Sequence, residues 1–361
     1  MEYKLEDIFD LQMGKTPSRS NPEYWNSNDH KWISIGDLSR CGKYIEDTKE
    51  YLSDKAVEES GISIIPAGTV VMSFKLSIGK TAIIPEPMYS NEAIMSFRDK
   101  HVIDILPDYT YYMLSSRDWD TGTNKAVMGK TLNKATLSKI KVKVHGIAEQ
   151  KEIVRVLDKL NAVIEARQME IQKLEDLIKA RFVEMFVGKN YPLVSVDELS
   201  LGKGEYGAQS ASIAYDASRP RYVRITDIND DGTLNNDFVS SSNIDDDKQY
   251  KLSYGDFLFA RMGATVGKTY AYKEGNQIYA GYLIRYKLNL DKVMPEYLYA
   301  YTRLEEYWNW VKLNQSGAAQ PGINAKKYGS LQISVPPLSE QIAFQTFVAQ
   351  VDKSKFVRQA V

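Results

Sequence analysis

Residues 148–187 read AEQKEIVRVLDKLNAVIEARQMEIQKLEDLIKARFVEMFV, and this stretch organises the rest of the chain. Its apolar residues recur at alternating spacings of four and three, the pattern of a coiled-coil seam sustained over roughly five heptads. The apolar seam positions are Ile153, Leu157, Leu160, Ile164, Ile171, Leu174, Ile178 and Met185. Arg167 and Arg181 take the two remaining positions, and Gly188 and Pro192 follow in the order typical of a helix end. The pattern predicts one helix of roughly 40 residues, about 60 Å long.

Composition limits the class of protein. The chain has 361 residues, 43% hydrophobic and 26% charged, which is typical of a globular protein with two or three domains. Because the net charge is −1, binding to nucleic acid would need a local basic surface. We expect no signal peptide, and no apolar run reaches the ~18 residues of a membrane span. Cys41 is the only cysteine, which excludes an internal disulfide and a multi-cysteine zinc site and favours the cytoplasm.

The two halves of the chain resemble each other. Matching segments lie about 190 residues apart, and similarity at a fixed spacing is the signature of a structural repeat. The main matches are Trp32–Leu38 with Tyr222–Ile228, Ala67–Lys75 with Tyr254–Met262, Pro107–Tyr111 with Pro295–Tyr299, Ile140–Val144 with Leu331–Val335, and Ile147–Gln150 with Leu338–Gln341. After Gln341, the residues Phe344, Phe347, Val348 and Val351 form the seam of a second helix.

This repeat predicts the architecture. Short strands, turns rich in Gly, Pro and Asn, and a few helices indicate two tandem α+β domains with small twisted sheets. We predict a first domain over 1–146, a long spacer helix over 147–190, a second domain over 191–337 and a shorter spacer helix over 338–361. The two helices are expected to pair as an antiparallel coiled coil, which gives the molecule an approximate twofold.

The second helix is shorter than the first. An antiparallel partner that ends at Val361 would leave Ile153, Leu157 and Leu160 without a partner in the same chain. Three explanations remain open at this point: another chain covers that end, the natural chain has been cut there, or the natural tail is simply short.

Several local patterns resemble sites of chemistry but fail on detail. Gly263–Thr269 has three residues between its glycines, where a phosphate-binding loop needs four. Asp227–Gly232 opens like a calcium loop, but Phe238 stands where the last acidic ligand belongs. Asn21–Tyr24 lacks the second proline of the adenine-methylase motif that it resembles. The histidines are scattered along the sequence at His30, His101 and His145. We find no catalytic constellation and no metal site, so binding is the leading class of function.

A duplicated domain on a rigid spacer suits a ligand that presents two sites at a fixed distance. Duplex DNA presents one face every ~34 Å. Arg and Lys bind phosphates or guanine edges, and Asn and Gln pair with adenine. Candidate DNA-binding residues of copy one are Lys75, Ser77, Lys80, Asn124, Lys125, Lys130 and Lys134. Those of copy two are Arg219, Arg221, Arg224, Arg261, Thr265, Lys268, Gln315, Gln320, Asn324, Lys326 and Lys327. Any one of them is compatible with a solvated surface, but their recurrence at matching loops favours binding.

Several short motifs occur in a fixed order in both copies of the repeat. Together they resemble the specificity subunit of type I restriction–modification systems across essentially the full chain. The motifs are Gly14–Pro17 with Tyr24 and Trp25, Ile35–Leu38, Gly68 with Gly79 and Lys80, Gly255 with Ala260, Arg261, Gly267 and Lys268, Pro336–Gln341, and the long helix after Gln150. Two departures are the short second helix and the pair His145 and Gly146, where copy two has Pro336 and Pro337.

The resemblance implies a function. Each globular domain would be a target-recognition domain for one half of a split DNA sequence, and the helices would fix the unread gap. Two methylase subunits would dock on the helices and bring S-adenosylmethionine to methylate adenine N6. Restriction subunits, if present, would bring ATP, Mg and cleavage, so no cofactor is expected in this chain. Because copy two has Arg261–Ala264 and Gln315–Ala319 at two loops where copy one has other residues, we expect an asymmetric target.

Two other classes of protein are alternatives. A coiled-coil scaffold could bind other proteins through its globular ends, and sequence-selective retention of DNA with a methylase partner would exclude it. A fused methylase–specificity enzyme would need a longer chain and the methylase motifs that this sequence lacks.

Overall fold

The computed structural model describes residues 1–25, 27–75, 77–119, 132–317 and 321–359. The chain forms two compact units, Met1–Ile164 (unit 1) and Glu165–Val361 (unit 2). Both units combine small β-sheets with short helices, which confirms the predicted α+β class. The long helix contributes its first part to unit 1 and its second part to unit 2. The finer division at residues 146, 190 and 337 stays a prediction.

Unit 1 is built from short elements. Its strands are β1 (Glu2–Lys4), β2 (Phe9–Met13), β3 (His30–Ile33), β4 (Glu50–Leu52), β5 (Val70–Ser73), β6 (Thr81–Ile83), β7 (Tyr89–Ser90), β8 (Ile94–Asp99) and β9 (Lys141–Lys143). Its helices are α1 (Leu5–Ile8), α2 (Ile35–Leu38), α3 (Asp54–Ser60), α4 (Pro107–Ser115), α5 (Lys134–Ser138) and the start of α6 (Ile147–Phe186). A 3₁₀ turn covers Pro22–Tyr24.

Unit 2 repeats this plan. Its strands are β10 (Leu193–Ser195), β11 (Glu205–Tyr206), β12 (Ser212–Ala214), β13 (Arg221–Val223), β14 (Val239–Ser241), β15 (Asp256–Ala260), β16 (Thr269–Ala271), β17 (Gln277–Tyr279), β18 (Leu283–Lys287) and β19 (Gln332–Ser334). Its helices are α7 (Asp246–Gln249), α8 (Pro295–Tyr301), α9 (Glu305–Asn314), α10 (Ala325–Gly329) and α11 (Leu338–Gln359), with 3₁₀ turns at Ile225–Asp227 and Gly263–Thr265.

The sheets show that the two units share one topology. The main antiparallel sheet has the order β2-β8-β5-β6 in unit 1 and β11-β18-β15-β16 in unit 2. A parallel pair, β3 with β7 and β13 with β17, recurs beside it. The pair β1 with β9 corresponds to β10 with β19. The internal repeat predicted from the sequence is therefore present in the fold.

The central strand of each main sheet is buried on both faces. In β5, Val70 and Met72 enter one apolar cluster and Val71 enters another. In β15, Phe257 and Phe259 enter one apolar cluster, and Leu258 and Ala260 enter another. Alternation along a strand sends neighbouring side chains to opposite faces, so one apolar run supplies two cores.

An ion-pair network joins α6 to the rest of unit 1. The ammonium of Lys43 lies 2.6 Å from carboxylate oxygens of both Asp108 and Asp158. The hydroxyl of Tyr112 donates to Asp158 at 2.5 Å, and Asn161 donates to Tyr112 at 3.0 Å. Burial and the hydrogen bond to Asp158 raise the pKa of Tyr112 to about 12, so its hydroxyl stays a donor at neutral pH. These contacts attach the first part of α6 to the rest of unit 1.

The last part of α6 packs against α11 within unit 2. The ring of Phe182 lies 5.4 Å from that of Phe344 and 5.2 Å from that of Tyr297. Farther along, Lys355 of α11 pairs with Glu175 of α6 at 3.8 Å. Because residue numbers rise along α11 as they fall along α6, the helices are antiparallel, as predicted.

The predicted seam is used unevenly. Ile178 and Met185 pack on the unit 2 core, where Phe344 is fully buried, but the most buried α6 residues there are Phe182 and Phe186, which the heptad pattern did not include. A strict seam misses them because this helix end enters a globular core, which covers a wider face than one partner helix does. The other seam positions are placed as follows: Ile153 packs on the unit 1 core, Leu157, Ile171, Leu174, Phe347 and Val348 are half-buried, Val351 is buried, and Leu160 and Ile164 are exposed. Their role as a partner surface stays a prediction.

Candidate nucleic-acid interface

Two loops of unit 2 that the sequence singled out lie side by side. Loop A (residues 261–268) follows β15, and loop B (residues 315–324) joins α9 to α10. The amide of Ile323 donates to the carbonyl of Arg261 at 2.9 Å, and the amide of Gly263 donates to that of Pro321 at 2.9 Å. Ser316 and Gly322 close loop B with a pair of backbone hydrogen bonds, at 3.0 and 2.9 Å. Backbone hydrogen bonds therefore join the two loops.

Buried tyrosines fix loop A from beneath. Tyr307 donates its hydroxyl proton to the carbonyl of Gly267 at 2.7 Å, and Tyr328 donates to that of Ala260 at 2.8 Å while accepting from the Gly267 amide. Both tyrosines are fully buried, and burial raises the pKa of each hydroxyl. They stay protonated at physiological pH, so this anchor does not titrate.

The recurring Gly-Lys-Thr is explained by this packing. Gly267 has φ of 89°, and a Cβ there would lie 2.8 Å from a methyl group of Val311. Gly79, its counterpart in unit 1, also has φ of 89°, and a Cβ there would lie 2.6 Å from the ring of Trp119. The threonine of the motif in unit 2, Thr269, is buried and hydrogen-bonds to Thr302 at 2.8 Å. The motif serves a tight turn and not a phosphate.

We expect Gly267→Ala to destabilise unit 2 by about 2–4 kcal/mol, because the left-handed backbone and the collision with Val311 both oppose a methyl group. Gly263→Ala is the matched control. Gly263 also has positive φ, at 69°, but nothing lies within 4 Å of its Cβ position, so only the backbone penalty of about 1 kcal/mol applies. Urea unfolding of both variants checks this, and equal losses would show that the packing around Gly267 can yield.

The candidate side chains at the loops of unit 2 differ in whether they bond to other residues of unit 2 and in how exposed they are. Lys268 pairs with Asp230 at 2.8 Å, which lowers the pKa of Asp230. Thr265 donates to the carbonyl of Met262, and Asn324 caps α10 by accepting from the amide of Lys327 at 2.9 Å. The candidates with exposed side chains are Gln315, Asn324, Lys326 and Lys327. Gln320 lies outside the described residues. Arg261 is partly exposed and has no carboxylate partner in the part of the chain that the structure describes.

The three arginines in and beside β13 bond to other residues of unit 2. Arg219 makes a two-pronged ion pair with Asp247, at 2.8 and 2.9 Å. Arg221 is buried and donates to the carbonyl of Asn235 at 2.7 Å. Arg224 pairs with Asp227 at 2.7 Å, and Asp227 also caps the 3₁₀ turn Ile225–Asp227 by accepting from the Arg224 amide. Each of these arginines therefore bonds to other residues of unit 2, and its part in the interface stays a prediction.

We expect Arg219→Ala to lower the urea midpoint of unit 2 and to leave the preferred DNA sequence unchanged, since it leaves Asp247 unpaired. Lys326→Ala is the opposite control. Its exposed side chain should change stability by less than about 0.5 kcal/mol, while its loss weakens binding to every DNA sequence. A change of sequence preference in Arg219→Ala would place that residue in the interface.

Unit 1 carries the same loop contact. The amide of Leu132 donates to the carbonyl of Phe74 at 3.1 Å, which matches the bond from Ile323 to Arg261. Asn133 caps α5 as Asn324 caps α10. Around this point, Lys75 is partly buried, and Ser77, Lys80 and Lys134 are exposed. The candidates Asn124, Lys125 and Lys130 lie outside the described residues.

The described residues contain neither a cluster of metal ligands nor a membrane-spanning helix. No group of three or more His, Cys, Asp or Glu side chains in the described ranges is arranged to hold a metal ion. Among the same residues, no helix combines the length and the apolar character that crossing a membrane requires.

Comparison with known proteins places this chain in one class, proteins with a DNA specificity domain of type I restriction–modification. The family model described as the type I restriction modification DNA specificity domain matches residues 1–176 and 210–357. The chain belongs to this family, and the resemblance stated from the sequence is confirmed.

Relatives agree with this placement. The MjaIX specificity subunit of Methanocaldococcus jannaschii is 28% identical over 204 residues, which are 54% of this chain and 46% of that protein. The EcoR124I/EcoR124II specificity subunit of Escherichia coli is 28% identical over 200 residues, 49% of this chain and 48% of that protein. The match thus spans about half the length of these curated relatives.

Solved structures share the fold. The S subunit of a type I restriction–modification system from M. genitalium superposes with a TM-score of 0.52 at 11% identity, over 100% of this chain and 91% of that one. A chain from a structural study of complex assembly and conformational transition of the type I system gives 0.50 at 15% identity, with coverage of 100% and 92%. At such low identity the likeness concerns the fold alone.

Proposed function

We propose that the chain is the DNA-reading subunit of a type I restriction–modification complex, in which each unit reads one half of a split, asymmetric sequence. The observation that carries this proposal is one backbone bond at the same place in both units, from Leu132 to Phe74 and from Ile323 to Arg261, next to loops whose residues differ between the two copies. The same backbone contact with different side chains would allow the two units to recognise different DNA sequences.

The chemistry of loops A and B favours double-stranded DNA as the ligand. Arg261 and Gln315 on the two loops supply N–H donors, and Lys326 and Lys327 at the start of α10, directly after loop B, add positive charge. Side chains of these types bind phosphates and base edges in the major groove. Since the net charge of the chain is −1, this local concentration is what would bring the loops to DNA.

The family supplies the expected partners. We propose that two methylase subunits dock on the chain and bring S-adenosylmethionine for N6 methylation of adenine. Restriction subunits, where they exist, would bring ATP and Mg. This chain would catalyse nothing and would instead position its partners on the target, with α6 and α11 setting the distance between half-sites.

Base-resolution mapping of N6-methyladenine in the host, with and without the gene, tests this proposal. We expect one split motif with a fixed gap to lose methylation when the gene is deleted, and to regain it when the gene returns. Unchanged methylation in cells that express the methylase partners would contradict the proposal. It would favour the alternative of a scaffold whose globular ends bind other proteins, which a pull-down of methylase subunits would then examine.

A further inference from the structure

Arg261 is held ready for a ligand outside the protein. Arg219, Arg224 and Arg285 of unit 2 pair with carboxylates, but within the described ranges Arg261 has none. Its guanidinium carbon lies 4.8 Å from the centroid of the Tyr206 ring. The recorded side-chain acceptor is the sulfur of Met262, at 3.5 Å from Nη2. A thioether is a weak acceptor, so strong N–H donors of this group remain available.

Tyr206 is a fixed platform. It lies in β11 opposite Ile284 of β18, which fixes its backbone. Its hydroxyl oxygen accepts a hydrogen bond from the amide of Ala325 at 3.2 Å, at the start of α10 beside loop B. The ring is nevertheless 41% exposed, and Tyr282, whose carbonyl accepts from the Arg261 amide, is 54% exposed. Stacking occupies one face of the guanidinium plane and leaves its N–H edge free.

Unit 1 has no such group at the equivalent positions. The residue that makes the matching backbone bonds is Phe74, whose amide donates to Ala93 and whose carbonyl accepts from Leu132. Phe74 is fully buried, and Met13 occupies the strand position equivalent to Tyr206. Tyr206, Arg261 and Tyr282 are thus replaced by Met13, Phe74 and Ala93. The guanidinium chemistry belongs to unit 2 alone.

On the basis of the proposed function, we propose that Arg261 reads a guanine in the half-site of unit 2 and that Tyr206 positions its guanidinium. Two parallel N–H groups of arginine match the O6 and N7 acceptors that guanine presents in the major groove. A stacked, planar fork loses less conformational freedom on binding than a solvated side chain does. A phosphate contact would use the charge but would not need this orientation.

The test uses the full chain assembled with its methylase subunits, on duplexes that carry the motif defined by methylation mapping. Each guanine is replaced in turn by 7-deazaguanine, which lacks the N7 acceptor, or by inosine, which lacks only the minor-groove amino group. At one guanine of one half-site we expect 7-deazaguanine to reduce binding by between about 5- and 150-fold, and inosine to be tolerated.

Substitutions then assign that guanine to Arg261. Arg261→Lys keeps the charge without the planar fork, so it should lose the discrimination at that position and keep its affinity for unrelated DNA. Tyr206→Phe keeps the ring and loses the hydrogen bond from the Ala325 amide, so it should retain more of the discrimination than a variant without the ring. Tyr206→Leu removes the ring and should reduce discrimination at the same position only, with the other half-site unaffected.

Three results would overturn the inference while leaving the proposed function intact. These are a motif in which every guanine tolerates 7-deazaguanine, an Arg261→Lys variant with unchanged discrimination, and a loss that is equal on all DNA sequences. If the parent complex recognises no split motif at all, the proposed function itself fails, so the two failures are distinguishable.

Discussion

Insertion of four residues after Arg167 is expected to lengthen the gap between the two half-sites and to leave both half-sites as they were. Four helical residues add about 6 Å, which corresponds to one or two base pairs at a rise of ~3.4 Å. Arg167 precedes Glu175 and Phe182, where α6 meets α11, so the packed end of the helix is preserved. Methylation mapping of the variant complex gives both the half-sites and the gap.

The matched control is Arg167→Ala, which alters the same position without changing the length. Its side chain is partly exposed and pairs with Glu170 three residues later, an interaction that contributes little on a helix surface. We expect its gap to be that of the parent. If the insertion leaves the gap unchanged, α6 does not measure distance, and the spacing must come from another part of the complex.

Phe182→Ala is expected to destabilise unit 2 by about 3–5 kcal/mol, the usual result of emptying a fully packed aromatic site. Phe182 is 2% exposed, and its ring contacts those of Phe186, Tyr297 and Phe344. The substitution therefore opens a cavity where α6, α8 and α11 meet. Amide hydrogen exchange measures the loss by unit, because β15 belongs to unit 2 and β5 to unit 1.

Val183→Ala is the control for this experiment. Val183 is the next residue of α6 and is 43% exposed, so its truncation should change stability by no more than about 0.5 kcal/mol. We expect Phe182→Ala to accelerate exchange in β15 and to leave β5 protected. Equal effects of the two variants would mean that α6 is not part of the unit 2 core.

The periodic and repeated features could be predicted from the sequence. The helices α6 and α11 and the duplicated order of elements could be predicted from spacing, because burial of one face imposes a period on the residues that form it. Loops A and B were also identified, since each stands next to a recurring element. Their direct contact was not predicted, because it uses backbone atoms, which leave no trace in residue type.

The partners of single charges within the fold could not be predicted. Arg219 and Arg221 read as a basic approach to DNA, but Asp247 neutralises the first and the carbonyl of Asn235 occupies the second. Those partners lie 28 and 14 residues away in sequence, and tertiary structure alone decides such pairing. Tyr206 was overlooked because an isolated tyrosine in a short strand has no distinguishing pattern. The signal that the sequence offered was an aromatic residue directly before a glycine, Tyr206 before Gly207.

The way loops A and B are joined has a consequence for inheritance. Ile323, Gly263 and Gly322 donate through amides to carbonyl oxygens, so no side chain takes part in these bonds between and within the loops. Buried Tyr307 and Tyr328 support them from below. Mutation can therefore replace outward side chains, such as Arg261, without disturbing what supports them. Under the proposed function, a lineage with this arrangement would acquire a new DNA target by a few point changes, while the backbone contacts that support the loops stay the same.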